Sequence, residues 1–263
     1  MRLLVLRVLA LFFALTWLVF PGFGLIDLSV TWDPGWPVVL EASWGVFMTV
    51  LVGGSFVAVA VSPLRTAPAQ VVLLVTRATW LLATAAGLEL PLLFYVGVLL
   101  VEGGVLLALT PAREPLRPFH RSVRRPLLAV AALGVVPWLA HAERMFASNR
   151  RNAGVLIGDV TMGVDHYAVQ GALAVALPAR AVLAAVWPRG RRLLGVGVGL
   201  CAGYVGVVSA AFPGTWGGLS PLWSALCIGW GVTLAVLAVV APAASRLQPG
   251  ELRGEVVEAE RTL

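Results

Sequence analysis

Lysine is missing from this chain of 263 residues, and all nineteen basic side chains are arginine. That absence excludes a retinal or pyridoxal Schiff base and a Walker-type phosphate loop, each of which needs a lysine amine. Charge of either sign is scarce, at 12% of residues against about 25% in soluble domains. Cysteine occurs only as Cys201 and Cys227, both inside apolar runs and with neither a CxxC nor a zinc-like spacing, so buried thiols are expected. Histidine is limited to His120, His141 and His166. Any polar chemistry must come from a handful of positions.

What fills the chain instead is hydrocarbon, with 59% hydrophobic residues and a mean hydropathy of +0.91. A bilayer-crossing helix needs roughly 20 apolar residues. Runs of that kind recur at about 3–20, 42–62, 69–86, 91–110, 127–148, 164–187, 193–212 and 220–241. They predict an all-α, polytopic integral membrane protein with about eight transmembrane helices. One transmembrane domain (1–245) would be followed by a short charged cytoplasmic tail (246–263). The first run carries Arg2 and Arg7 and lacks an A-x-A-like site before Pro21, which reads as an uncleaved anchor rather than a signal peptide.

The net charge of +6 would suit a nucleic-acid partner, but the arginine positions point elsewhere. With the N-terminus in the cytoplasm, fifteen arginines and five acids fall on the cytoplasmic side and three arginines and seven acids on the outer side. That is the positive-inside pattern of an N-in, C-in protein, so the charge reflects topology and no nucleic acid is expected. The five-arginine loop around His120 then faces anionic lipid headgroups. Trp32, Trp36, Trp44, Trp216 and Trp223 fall toward the outer side, as an interfacial belt does. The lysine-free, alanine- and arginine-rich composition suits a GC-rich bacterial genome and hence a bacterial plasma membrane.

Two charges fall inside spans. Arg77 and Glu102 lie on successive predicted helices at equal distances from the turn around residue 89, roughly 19 Å by helical rise. They are expected to form an intramembrane ion pair, which fixes helix register or relays protons. The same symmetry brings Cys201 and Cys227 to one depth as packed thiols. Gly195, Gly199 and Gly203 share a helix face and invite close approach of a neighbour. That face and the outer tryptophan-rich loop would also serve helix–helix self-association in a non-catalytic scaffold.

The richest stretch is Pro137 to Gln170. His141, Glu143 and Arg144 end the fifth span, while Asp165, His166 and Gln170 open the sixth, with Asn149, Arg150, Arg151, Asn152 and Asp159 between them. His166 and Gln170 are four apart and share a face, and Thr161 is a candidate N-cap. Outer arginines run against the charge bias. Both flanking spans hold an interior proline, Pro137 and Pro178, a pointer to a membrane binding site. The leading expectation is an outward-facing pocket between these two spans that binds or transports a small polar or anionic solute. Its ligand contacts would be His141, Glu143, Arg144, Asp159, Asp165, His166 and Gln170. Alternatives are a metal-dependent hydrolase using His141 and His166 with Glu143, Asp159 or Asp165, and a haem held axially by the two histidines. The plainest reading, charged helix ends facing water, stands beside these.

Overall fold

The computed structural model describes residues 1–33, 38–110, 122–152 and 160–240. Asp159, His120, Trp36 and the charged tail therefore lie outside the described residues.

Helix α1 (Arg2–Leu18) buries Leu6, Ala10, Ala14 and Trp17, a stripe repeating every three to four residues. At 17 residues it sits at the short end of the range for a span, about 17–25. The stretch expected to be a plain loop after it contains a further helix, α2 (Gly24–Val30). Next come α3 (Val38–Val46), a π-helical turn (Phe47–Gly53) and α4 (Gly54–Val61), which run on as one rod. Helix α2 can lie directly on that rod because two glycines remove the obstructing side chains. A Cβ on Gly24 would come within 2.7 Å of the Thr49 hydroxyl, and one on Gly45 within 2.9 Å of the Leu28 amide nitrogen.

The hairpin α5 (Ala67–Gly87) and α6 (Leu92–Leu109) follows. Helix α7 (Arg125–Asn152) has 28 residues, about 42 Å by helical rise, longer than a hydrocarbon core of about 30 Å. Its last turns, which carry Arg144, Arg150 and Arg151, can therefore project past the hydrocarbon. A two-residue hairpin, β1 (Val160–Thr161) and β2 (Val164–Asp165), leads straight into α8 (His166–Val186). Its turn residues Met162 and Gly163 both have positive φ, +52° and +81°, as the tight turn of a two-residue hairpin requires. Asp165 rather than Thr161 caps α8, its carboxylate accepting the Tyr167 N–H at 2.8 Å.

Helices α9 (Arg191–Ala211) and α10 (Pro221–Val240) close the chain. The glycine face of α9 packs on α10 of the same chain: a Cβ on Gly199 would meet the Gly231 carbonyl at 2.6 Å, and one on Gly195 the Ala238 Cβ at 2.4 Å. The face expected to serve self-association is thus used internally. Cys201 and Cys227 are buried free thiols directed at different carbonyls, those of Val46 and Ala202.

Among the described residues seven helices, counting α3 to α4 as one, are long and apolar enough to cross a membrane. Leu133, Val136, Phe94 and Leu100 are among many large apolar side chains left exposed on them, as a lipid-facing surface demands. The protein is an all-α, multi-pass membrane protein.

Candidate functional site

The expected cluster at the α7–α8 junction divides into two parts of opposite charge. The acidic part centres on His166, the fully buried first residue of α8. Its Nε2 lies 2.9 Å from the Thr161 hydroxyl, which the hairpin holds in place. Its Nδ1 lies 3.6 Å from Glu41 Oε2, and its ring stacks on Trp44 at 4.9 Å between centroids. Trp44 is itself buried, with its indole N–H donating to the Gly22 carbonyl at 2.8 Å, so it is a wall of this site rather than a belt anchor. The Thr161 hydroxyl also reaches Asp27 Oδ2 at 3.5 Å. Donor atoms of Asp27, Glu41 and His166 all fall within 4.8 Å of one another.

A second carboxylate pair lies beside it. Glu89 accepts the Asp165 backbone N–H at 3.3 Å and an Asn149 amide N–H at 3.0 Å. Asn149 also donates to the Gly87 carbonyl and accepts from the Ala168 N–H, each at 3.1 Å, which locks the end of α5, the end of α7 and the start of α8 together. Burial pushes the Asp165 carboxyl above the usual carboxylate range. The Tyr167 N–H pulls it back, neighbouring Glu89 raises it further and His166 lowers it.

The basic part lies one turn along α8 and across to α7. Gln170 Nε2 donates to the Gly217 carbonyl at 2.7 Å and sits 3.1 Å from His141 Nε2. Arg144 donates to His141 Nδ1 at 3.1 Å. His141 is therefore engaged at both nitrogens, and His166 is engaged by Thr161, which is not the arrangement of two axial haem ligands. Glu143 pairs with Arg150 at 2.9 Å, while Arg150 also donates to the Ala86 carbonyl. Among the described residues Arg151 donates to the Ser148 hydroxyl, at 3.0 Å. Neither Arg144 nor Arg151 contacts a carboxylate among the described residues.

No protein-family model, curated protein or solved structure matches this chain.

Two cavities meet at Arg144. The larger, about 680 Å³, runs between α7 and α10 and is lined by Leu133, Pro137, Trp138, Leu226 and Trp230 with His141 and Arg144 at one end. Its floor is the Trp230 indole, which donates to the Val130 carbonyl at 2.7 Å and lies against Gly134, where a Cβ would come within 2.5 Å of the ring. Pro137 has no N–H to offer the Leu133 carbonyl, so a backbone acceptor of the same wall lacks its helical donor. The smaller cavity, about 310 Å³, is lined by the side chains of Glu143, Arg144, Ser148 and Arg151 together with Gly217 and Gly218. Neither lies between α7 and α8, the position expected for the pocket, because Gly171 lets the Phe146 ring pack against the α8 backbone there.

Arg77 and Glu102 meet on the α5–α6 hairpin without reaching ion-pair distance. The Arg77 guanidinium donates to the Leu99 carbonyl and lies over Gly103, while Glu102 accepts the Trp17 indole N–H at 2.7 Å. Arg180 is a buried arginine that sequence reasoning passed over, counting it with the cytoplasmic arginines. It is fully covered on α8, and its Nε and one terminal nitrogen hydrogen-bond nothing among the described residues. Fourteen residues along α8 separate it from His166, about 21 Å. Asp27, Glu41 and Glu89 were also missed. The signal was present, since every charge between Pro21 and Glu41 is acidic.

Proposed function

We propose that this protein binds an anionic amphiphile drawn from the bilayer, with its hydrocarbon chain in the α7–α10 groove and its headgroup at Arg144 and Arg151. One observation carries the reading: Arg144 lines both the apolar groove and the smaller cavity, where Arg151 joins it. A ligand that fills the two at once needs an apolar body and a negative end. Arginine forks suit carboxylate and phosphate heads, and the groove volume falls within about 300–1,000 Å³, the range of small-molecule sites. The arginine bias along the chain supports an N-in, C-in placement that puts this end on the outer face of the membrane, and the composition supports a bacterial plasma membrane. A hydrolase built on the metal-capable trio is less well supported, because neither cavity is lined by Asp27, Glu41 or His166.

The test is thermal melting of purified protein with phosphatidylglycerol against phosphatidylcholine of the same chains. Selective stabilisation by the anionic lipid is expected. The Arg144→Ala and Arg151→Ala changes should each weaken it about tenfold or more, as loss of a charge-assisted hydrogen bond does. Leu226→Trp should fill the groove and abolish stabilisation by either lipid. Equal stabilisation by the two lipids would defeat the proposal.

A further inference from the structure

We propose that Asp27, Glu41 and His166 bind a divalent first-row transition-metal ion that ties α2, α3 and α8 together. The site is separate from the groove and uses none of its residues.

Three observations point to a metal. One donor atom from each residue lies within 4.8 Å of the other two, and all three residues are buried, at 6%, 4% and 0% exposure. The Glu41–His166 separation of 3.6 Å is too long for a hydrogen bond, which spans about 2.7–3.2 Å. It fits two ligands held about 2.0–2.2 Å from a shared ion, whose tetrahedral edge is about 3.4 Å. The ring is also aimed. Thr161 sits at Nε2 and reaches on to Asp27, so the outer nitrogen is held by a hydrogen bond and the Nδ1 lone pair is turned to Glu41. Metal-bound histidines carry such an outer partner almost without exception.

One imidazole with two carboxylates favours zinc, manganese or iron over magnesium or calcium. The ion would join segments that are 125 positions apart in the chain from Glu41 to His166. Its role is to hold the N-terminal helices against the C-terminal half.

The experiment uses full-length protein in detergent, stripped with a chelator and titrated with zinc or manganese chloride while melting temperature and bound metal are followed. One ion per chain and a saturable rise in melting temperature are expected. Glu41→Gln and His166→Gln should abolish both, and Thr161→Ala, which keeps all three donors, should weaken binding about 10–100-fold. Glu89→Gln and the Arg144→Ala, Arg151→Ala pair should bind as wild type does, which separates this site from the lipid groove. Stripped wild-type protein that shows no saturable binding overturns the proposal, as does wild-type affinity in Thr161→Ala or in either ligand variant.

Discussion

Asn149 makes three hydrogen bonds with one amide, to the Gly87 carbonyl, to Glu89 and from the Ala168 N–H. Replacing it with leucine keeps the bulk and orphans three buried groups, each at about 1–3 kcal/mol. Asn149→Leu should therefore lower the melting temperature more than any exposed substitution on α7, as differential scanning fluorimetry would record. Asp165 permits a finer test. Asp165→Ala removes the α8 cap and should cost about 1 kcal/mol, whereas Asp165→Asn retains capping and should be close to neutral. Equal losses in the two would mean the charge, not the cap, holds the helix start. At this scale the sequence was informative only over short range. His166 and Gln170 could be placed on one face by their four-residue spacing, and His141 beside Arg144 by a three-residue one. Glu41 and Asp27 could not be joined to His166, because no periodicity links residues so far apart in the chain. Only the lack of any base between Pro21 and Glu41 hinted that those acids needed a partner elsewhere.

Whole helices were easier to read, since each apolar run in the sequence corresponds to a helix with closely similar ends. Hydropathy reports length, and length is what a bilayer selects. It does not report which face meets which neighbour, so the α9 glycines read equally as an intermolecular and an intramolecular surface. The same blindness hid α2, whose seven residues are too few to show a period, and the hairpin that takes Thr161 away from the helix start. The packing now separates the glycines. Gly199→Ala would push a methyl into the Gly231 carbonyl and should cost about 1–3 kcal/mol as overpacking. Gly203→Ala meets nothing within 4 Å and should be neutral or up to about 1 kcal/mol stabilising from helix propensity alone. Comparing melting temperatures of the two variants checks that α9 and α10 pack as described.

For the molecule as a whole, the proposed orientation has a direct readout because both native thiols are buried and should resist an impermeant maleimide in intact cells. A cysteine at exposed Arg151 should label from outside, and one at exposed Arg189 only after permeabilisation. The reverse pattern would invert the topology and place the arginine-lined cavity in the cytosol. Orientation was the part of the architecture that arginine counts alone could suggest, because insertion responds to charge totals rather than to packing. The phase of the rod α3 to α4 was not open to such counting. Its π-helical turn, Phe47–Gly53, inserts surplus backbone between Glu41 and the membrane-embedded end. Winding the same seven residues at ordinary α pitch would swing everything upstream by about 100°. Glu41 would then be carried off the bearing on which it meets His166, while each side chain around the lower half stayed where it was. The wide turn thus works as a timing mark, and its loose winding is what keeps a distant carboxylate on station.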